Sequence, residues 1–404
     1  MPPLSERKQT EDRWILSCDG GGIRAIVTLH ALAAFEKYFQ KSCLELFDMF
    51  SGTSTGAIIA GSLASGKLSV SQLIDLYRTR RYEVFSRNFW SYPLYRLAIK
   101  YRKAPIHRLL CEKLGNITLA ECPRDILITA TDTVRSETTF FSSFRHPQPP
   151  LPAAYSYGLY ASLPLRHVIE ASLSAPTYFP PHGRFIDGGV GVHNNPCYMA
   201  AVEALRYSFP DDVPAEARRY QPGKISLFSF GTGAESNHMK PGEAMKKWNI
   251  GWLDYVIGEG MDQANVQQSY VTQEELDARE GSLSFYRYQF LLREDDETRQ
   301  DIKRLLGEAL PDDFSLRGIA VDSIDEKTVG LLDRLGVAFG IYLERNSFFL
   351  RNIPVPQSKF LTAKPRGHLE EYGYKRPSQA ELQRYVNEIQ SEFDELDKEY
   401  GRCN

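Results

Sequence analysis

Long apolar runs, paired cysteines and a strong charge imbalance are all missing from this sequence. No apolar stretch approaches the roughly 20 residues that a membrane-spanning helix needs, and residues 1–8 lack the apolar segment of a secretory signal. The formal net charge of −3 argues against a nucleic-acid polymer as a partner. The six cysteines are scattered singly, with no histidine cluster nearby, so we expect reduced thiols, no metal site and a cytoplasmic location.

The stretch around which the chain is organised is Gly-Thr-Ser-Thr-Gly at residues 52–56. An apolar segment leads into it, and small and aliphatic residues follow at helical spacing. This pattern is typical of a nucleophile elbow, a strand-to-helix turn in which Gly52 and Gly56 leave room for the two elements to pass. Ser54 is therefore the candidate nucleophile, at a helix N-terminus that favours developing negative charge. Taken alone, a plain glycine turn explains the pattern equally well.

A glycine loop precedes this turn. Residues 14–18 are typical of a short buried strand, residues 19–24 read Asp-Gly-Gly-Gly-Ile-Arg, and residues 26–35 have helical spacing. The N–H groups of such a loop can bind a phosphate or stabilise an oxyanion. A dinucleotide fingerprint is disfavoured because Ala25 stands where its last glycine belongs, and no Gly-Lys-Ser/Thr of a P-loop follows. An oxyanion loop is the more economical interpretation.

A serine nucleophile also needs a base. Asp187 ends a strand-like segment and precedes Gly188 and Gly189, which is typical of a carboxylate aimed into the cleft at the carboxyl end of a parallel sheet. None of the eight histidines lies in the late loop where α/β-hydrolases place a catalytic histidine. His182 and His193 are near Asp187 in the sequence, so a Ser-His-Asp esterase stays open as an alternative.

Further elements follow from hydrophobic periodicity. Strands are predicted at residues 126–132, 138–144, 225–230 and 284–290, and helices at 68–82, 165–174, 256–276 and 382–396. Residues 77–108 are basic and aromatic, with Glu83 as their single acid. This stretch is either a cap that meets anionic headgroups or a helical excursion whose rings pack on the sheet, and we favour the second interpretation.

The sequence closely resembles the patatin-like phospholipase family. The resemblance is carried by residues 19–24, 52–56 and 175–181 and by 187–189 together with 194–196, and it extends through 231–233. It implies a three-layer α/β/α fold with a central, mostly parallel sheet. It also implies a Ser-Asp dyad without histidine, cofactor or metal, with Ser54 as nucleophile and Asp187 as proton acceptor. The residues that would form the oxyanion loop are Gly20, Gly21, Gly22, Ile23 and Arg24.

The domain organisation that we expect has three parts. Residues 1–12 form a flexible tail, residues 13–290 form the patatin-like catalytic domain with a cap-like excursion at 77–108, and residues 291–404 form a mainly helical extension packed on that domain. Ala25 departs from the family, which usually has glycine there. This departure adds a methyl group but removes no N–H donor.

The resemblance implies a lipid acyl hydrolase of the phospholipase A or lysophospholipase type. We expect it to cleave carboxylic esters of membrane lipids through an acyl-enzyme, with transient, peripheral membrane contact. Three alternatives stay open: the Ser-His-Asp esterase, a catalytically idle lipid-binding scaffold, and a membrane-degrading effector in bacterial antiphage defence that needs a small-molecule activator. The sequence also leaves a homo-oligomer open.

Overall fold

The computed structural model describes residues 12–86, 99–143, 160–208, 214, 217–235, 261–292, 296–307, 319–345 and 378–401. Its strands are β1 (Arg13–Cys18), β2 (Met49–Thr53), β3 (Asp125–Asp132), β4 (Glu137–Ser142), β5 (Phe185–Asp187), β6 (Ile225–Phe230), β7 (Ala234–Glu235), β8 (Ser284–Tyr288) and β9 (Leu291–Leu292). The predicted strands are confirmed, with shifts of one or two residues at their ends.

The helices lie between and after these strands. They are α1 (Ala25–Phe39), α2 (Cys43–Leu46), α3 (Thr55–Ala64), α4 (Val70–Thr79), α5 (Arg81–Val84), α6 (Lys103–Leu114), α7 (Leu165–Ser172), α8 (Cys197–Val202), α9 (261–271), α10 (Asp296–Leu306), α11 (Glu326–Arg345) and α12 (Gln379–Tyr400). A π-helical segment, Thr272–Arg279, continues α9. The helix predicted at 256–276 is thus present from residue 261, and its first five residues lie outside the described residues.

The central sheet is mixed and mostly parallel. Seven of the described strands form it, in the order β4-β3-β2-β1-β6-β8 with β5 paired to β3. β1, β2, β3, β6 and β8 are parallel, whereas β4 and β5 run antiparallel to β3. Cys18 pairs with Gly52 of β2 and with Phe230 of β6. The loops that follow these three strands therefore leave the sheet at the same edge.

Helices cover both faces of the sheet. Leu16 and Phe228 lie in a large apolar cluster that includes residues of α1, α3, α4, α6, α7, α11 and α12. Their neighbours Ile15 and Leu227 lie in a smaller cluster with residues of α8 and of the segment after α9. Because successive side chains of a strand point to opposite faces, the two clusters are on opposite sides of the sheet. The expected three-layer α/β/α fold is confirmed.

The described C-terminal helices pack on this domain. Asp333 of α11 lies 2.7 Å from Nε2 of His30 in α1. In α12, Glu392 accepts a hydrogen bond of 3.0 Å from Nε of Arg184, just before β5. These contacts hold α11 against α1 and α12 against the segment before β5. The domain boundary at residue 290 stays a prediction.

The described part of the basic stretch forms ion pairs within the protein. Four of its cations have acidic partners: Arg78 with Asp333, Arg80 with Glu83 and Glu112, Arg81 with Glu326, and Lys100 with Asp322. Residues 87–98 of this stretch and residues 1–11 of the predicted tail lie outside the described residues. The cap-like excursion at 77–108 and the flexible tail at 1–12 therefore stay predictions. Among the helices that are described, none combines the length and apolarity that crossing a bilayer requires.

The cysteines follow the sequence expectation with one exception. Cys18, Cys43, Cys122 and Cys197 are free and buried. Cys111 is disulfide-bonded, so the expectation of reduced thiols was wrong for this residue. Cysteines that are far apart in the sequence can still form a disulfide in the folded chain, so their scattered positions did not exclude one.

Candidate active site

Ser54 occupies a strained turn between β2 and α3. Its backbone has φ 55° and ψ −127°, a region that residues with a side chain rarely adopt. A Cβ at Gly52 would lie 2.2 Å from the Gly56 carbonyl oxygen, and a Cβ at Gly56 would lie 2.2 Å from the Cys18 carbonyl oxygen. Only glycine fits at either position, so strand and helix can pass closely enough to form the turn. This backbone geometry is the one expected of a nucleophile elbow.

The structure brings Ser54 and Asp187 together. The Ser54 side chain lies close enough to the Asp187 carboxyl group to lower its pKa. The N–H of Ser54 donates to Oγ of Ser172 at 2.8 Å, which attaches the turn to the end of α7. Ser172 was not singled out in the sequence, because a serine at a helix end is usually a local cap rather than a distant support.

Asp187 is 2% exposed and ends β5. Its carboxylate accepts a hydrogen bond of 2.8 Å from the Gly189 N–H, and its own N–H donates to the Ser174 carbonyl at 3.0 Å. Burial raises the pKa of Asp187 to about 6, because the Ser54 side chain, the Gly189 N–H and the charge of Lys103 offset only part of the desolvation. A carboxyl group with this pKa can both lose and accept a proton near neutral pH.

The strand that carries Asp187 runs opposite to the direction expected from the sequence. β5 is antiparallel to β3 and pairs Asp187 with Ala130, one residue beyond the level at which β2 ends beside β3. The chain then turns directly over β3, where a Cβ at Gly188 would lie 2.4 Å from Thr129 Oγ1. Asp187 thus reaches the predicted edge of the sheet from an antiparallel strand.

The glycine loop between β1 and α1 lies beside the serine. A Cβ at Gly20 would lie 3.0 Å from the Ser54 Cβ. Four N–H groups of the loop have protein acceptors: Gly20 donates to the Asn194 carbonyl (3.1 Å), Gly21 to Thr55 Oγ1 (3.2 Å), Ile23 to the Val321 carbonyl (2.7 Å) and Arg24 to the Gly21 carbonyl (3.2 Å). For the N–H of Gly22, the part of the chain that the structure describes offers no acceptor.

Buried polar contacts fix the position of this loop. The Gly20 carbonyl accepts hydrogen bonds from Thr232 Oγ1 at 2.9 Å and from Asn194 Nδ2 at 3.3 Å. Nη1 of Arg287 in β8 donates to Oδ1 of Asp19 at 2.8 Å, and both side chains are buried. Sequence reasoning missed Arg287. The available signal was a single arginine within an otherwise aromatic strand, Ser-Phe-Tyr-Arg-Tyr.

The two histidines considered as alternative bases, His182 and His193, have other neighbours than Ser54 and Asp187. His182 is fully buried, with its Nε2 2.9 Å from Nδ1 of His167. The ring of His193 packs edge-on against Phe140, and burial lowers its pKa to about 4. Across the described ranges, neither imidazole forms a hydrogen bond with the side chain of Ser54 or Asp187.

An apolar cavity adjoins the serine turn and the glycine loop. The cavity volume is about 30 Å³. Its lining includes Ile23, Thr55, Ile58, Leu76, Tyr77, Phe85, Leu109 and Leu110. Ile23 belongs to the glycine loop and Thr55 directly follows Ser54, so the cavity begins beside the candidate nucleophile.

Two overlapping groups of buried side chains have ligand atoms within 4.8 Å of one another: His107, His167 and Asp397, and His167, Glu170 and His182. The charges around them disfavour a cation. Arg166 already pairs with Asp397, and both ring nitrogens of His107 lie within 2.9 Å of oxygen acceptors. A divalent ion would add uncompensated positive charge in a buried site. We assign the cluster a structural role in joining α6, α7 and α12.

The fold and this site define an α/β protein built around a serine on a strand-to-helix turn, beside a buried carboxylate and a glycine loop. Residues 16–201 match the family model described as Patatin-like phospholipase. This part of the chain is similar to the patatin-like phospholipases, a family of serine hydrolases. Its motifs at 19–24, 52–56 and 187–189 all lie within the matched residues.

Relatives of known name share part of the chain. Patatin-like protein 2 of Oryza sativa subsp. indica is 26% identical over 277 residues, which cover 59% of this chain and 65% of the rice protein. The 85/88 kDa calcium-independent phospholipase A2 of Mus musculus is 28% identical over 58% of this chain and 28% of its own length. The cGAMP-activated phospholipase of Vibrio cholerae is 25% identical over 62% of this chain and 74% of its own length. The chain therefore spans less than two thirds of the rice and mouse relatives.

Solved structures align more weakly. VipD from Legionella pneumophila aligns with a TM-score of 0.39 at 10% identity, over 84% of this chain and 68% of VipD. Human GIVD cytosolic phospholipase A2, in complex with methyl gamma-linolenyl fluorophosphonate, aligns with a TM-score of 0.32 at 11% identity, over 84% of this chain and 59% of the human one.

Proposed function

We propose that this protein is a lipid acyl hydrolase of the phospholipase A or lysophospholipase type, with Ser54 as nucleophile and Asp187 as proton acceptor. The observation that carries the proposal is the position of Ser54 on a strained strand-to-helix turn, with the buried Asp187 carboxyl group close enough for the serine side chain to lower its pKa. With a pKa of about 6, this carboxyl group is mostly ionised at neutral pH and still basic enough to take the serine proton. The family match at residues 16–201 supports the same reaction class.

The proposed reaction has two halves. Ser54 Oγ bonds to the ester carbonyl carbon while its proton passes to Asp187, and the alcohol of the lipid leaves with that proton. This gives an acyl-enzyme and a deacylated lipid. Water then attacks the acyl carbon and gives a proton to Asp187, the fatty acid leaves, and the proton returns to Ser54.

The oxyanion of each tetrahedral intermediate needs N–H donors close to Ser54, apart from the Asp187 carboxylate. We assign this role to the loop of Gly20, Gly21, Gly22, Ile23 and Arg24. Within it the Gly22 N–H is the best candidate, since its neighbours donate to protein acceptors. The N–H of Thr55, in the first turn of α3, has no acceptor within its own helix and is a second candidate. Removing one such donor typically costs about 2.7–4 kcal/mol in transition-state stabilisation.

The cavity beside the site is a suitable acyl pocket. Its side-chain lining is mostly aliphatic and aromatic, and it starts at Ile23 and Thr55. An ester whose carbonyl lies at Ser54 could place its acyl chain between α3, α4 and α6. Burial of a hydrocarbon chain stabilises binding by about 0.8 kcal/mol per methylene group. Each methylene group of the acyl chain that this cavity accommodates should therefore strengthen substrate binding.

Such a protein meets its substrate at a lipid surface. We propose transient, peripheral membrane contact by an otherwise cytoplasmic protein. No cofactor or metal takes part in the proposed reaction. A second candidate is the same hydrolase held inactive until a small molecule binds, which is favoured by the similarity to the cGAMP-activated phospholipase of Vibrio cholerae.

The test is acyl release from a panel of phospholipid, lysophospholipid, triacylglycerol and short p-nitrophenyl esters with EDTA present. Wild type is compared with Ser54→Ala, Asp187→Asn and the control Ser71→Ala, which removes an exposed hydroxyl of α4. We expect release by wild type and the control, and none by the two site variants.

The alternatives predict different results. Full activity in Ser54→Ala would refute the dyad. Activity that His182→Ala or His193→Ala abolishes would favour the triad esterase. If folded wild type releases no acyl group but Ser54 reacts with a fluorophosphonate, an activator-dependent enzyme is indicated; an unreactive Ser54 indicates an idle scaffold.

A further inference from the structure

Lys103 is a buried lysine at the start of α6. It is 3% exposed, and its Nζ donates to the Glu170 carbonyl at 3.0 Å and to Oγ of Ser174. Removing an ammonium group from water is unfavourable unless partners compensate for it. Here the carbonyl belongs to the last turn of α7, where carbonyl groups lack helical partners and the helix dipole favours positive charge. The lysine therefore caps the C-terminal end of α7.

The same end of α7 holds both members of the proposed dyad. Ser172 Oγ accepts the Ser54 N–H at 2.8 Å, and the Ser174 carbonyl accepts the Asp187 N–H at 3.0 Å. Lys103 bonds to Ser174 through its hydroxyl, so one residue links the ammonium to the backbone of Asp187. A shift of this helix end would move Ser54 and Asp187 relative to the substrate.

Lys103 also acts on Asp187 through its charge. The ammonium lowers the pKa of Asp187 against the larger effect of burial, and Asp187 in turn favours the charged lysine. Burial lowers the pKa of Lys103 to about 8, which leaves it mostly charged at pH 7. An opposite charge nearby favours the ionised form of each partner.

Other charged and titratable groups share this region. They are His107 of α6, Arg166, His167 and Glu170 of α7, His182 before β5, and Asp397 of α12. Arg166 pairs with Asp397, and Glu170 lies 2.8 Å from the His107 ring. Among the groups that act on Asp187, Lys103 is the cation.

We propose that Lys103 is a positioning residue of the Ser54–Asp187 dyad: its ammonium fixes the end of α7 and keeps the Asp187 carboxylate ionised. This inference rests on the proposed function. Lys103 acts through Ser174 and through its charge, and the hydrogen bonds of the described residues give it no direct bond to either dyad side chain.

The test is the pH dependence of two rates, fluorophosphonate labelling of Ser54 and kcat/KM for a soluble ester, between pH 4.5 and 9. Lys103→Met keeps the length of the side chain and removes its charge. The acid limb is the low-pH part of the profile, where the rate falls as Asp187 is protonated. In Lys103→Met we expect this limb to move to a pH that is higher by at least about half a unit, because a positive charge no longer favours the carboxylate. Lys103→Arg should keep the wild-type limb. Lys37→Met, which removes an exposed lysine of α1, is the matched control.

A second variant separates position from charge. Ser174→Ala removes the hydroxyl that Lys103 contacts but leaves the ammonium in place. We expect an unchanged acid limb and a severalfold lower maximal rate; a wild-type maximal rate would overturn the positioning role even where Lys103→Met does not fold.

The remaining outcomes distinguish this inference from the proposed function. A Lys103→Met limb that coincides with that of wild type would overturn the electrostatic role while leaving the dyad intact. If Ser54 of wild type is unreactive at every pH, the proposed function itself fails and this inference fails with it.

Discussion

Arg287→Met is the substitution whose effect on stability follows most directly from the structure. Arg287 and Asp19 are 7% and 1% exposed, and two guanidinium nitrogens bond to the two carboxylate oxygens. Nη1 also donates to Ser229 Oγ at 2.8 Å. Methionine fills much of the same space without charge or donors, so the substitution leaves a buried carboxylate without its counter-charge.

The magnitude can be estimated from this burial. Removing one partner of a buried ion pair costs about 3–5 kcal/mol in the free energy of unfolding. The same change at Arg279, whose side chain is 74% exposed and pairs with Glu275 at 3.1 Å, should cost about 0.5 kcal/mol or less because solvent screens the pair. Burial already raises the pKa of Asp19, so without Arg287 the carboxyl will accept a proton more readily. The loss should therefore shrink as the pH falls.

The assay is urea unfolding followed by tryptophan fluorescence at pH 7.5 and pH 5.5. Wild type is compared with Arg287→Met, the control Arg279→Met, and the double variant Asp19→Asn/Arg287→Met. We expect the double variant to be more stable than Arg287→Met, because no unpaired buried charge remains. A loss below about 1 kcal/mol for Arg287→Met, the range of exposed pairs, would refute the reasoning.

Three further predictions concern the site. Ser54→Gly should abolish ester hydrolysis, because it removes the candidate nucleophile. It should also raise the free energy of unfolding by about 1 kcal/mol in urea titrations, because glycine adopts φ 55° freely. The strain that is relieved, about 1–3 kcal/mol, exceeds the entropic cost of fixing a glycine. The kcat/KM of wild type should fall about tenfold per pH unit below pH 6, because Asp187, with a pKa of about 6, must be deprotonated to act as a base; a rate that is constant down to pH 4.5 would contradict this. Leu109→Trp should fill part of the apolar cavity and reduce palmitoyl ester hydrolysis relative to butyryl ester hydrolysis at least tenfold, whereas an unchanged chain-length profile would place the acyl chain elsewhere.

The serine turn could be predicted from the sequence because it depends on local backbone rules. Gly52 and Gly56 are required wherever a strand and a helix pass this closely, and the contacts of a Cβ at either position bear this out. The strands could be predicted for a similar reason, since buried parallel strands are short apolar runs. That Asp187 and Ser54 would meet was an inference from the family resemblance, and their distance along the chain gives no sign of it.

The residues that hold the site in position could not be predicted from the sequence, because their role depends on tertiary contacts. Lys103 and Arg287 are the clearest examples, since a single cation in a helix or strand pattern is usually exposed and here both are buried. The contact between the Ile23 N–H and the Val321 carbonyl joins segments about 300 residues apart. The antiparallel direction of β5 was also hidden, because a strand of three residues carries no signal of its partner.

The most direct test of the central claim is to trap the acyl-enzyme. Wild type is mixed with a slowly hydrolysed phospholipid analogue, quenched in acid within seconds, digested and analysed by mass spectrometry. The account predicts one acyl group on the peptide that contains Ser54, which is absent from Ser54→Ala and accumulates much less in Asp187→Asn. An acyl group on another residue, or lipid hydrolysis that persists in Ser54→Ala, would contradict it.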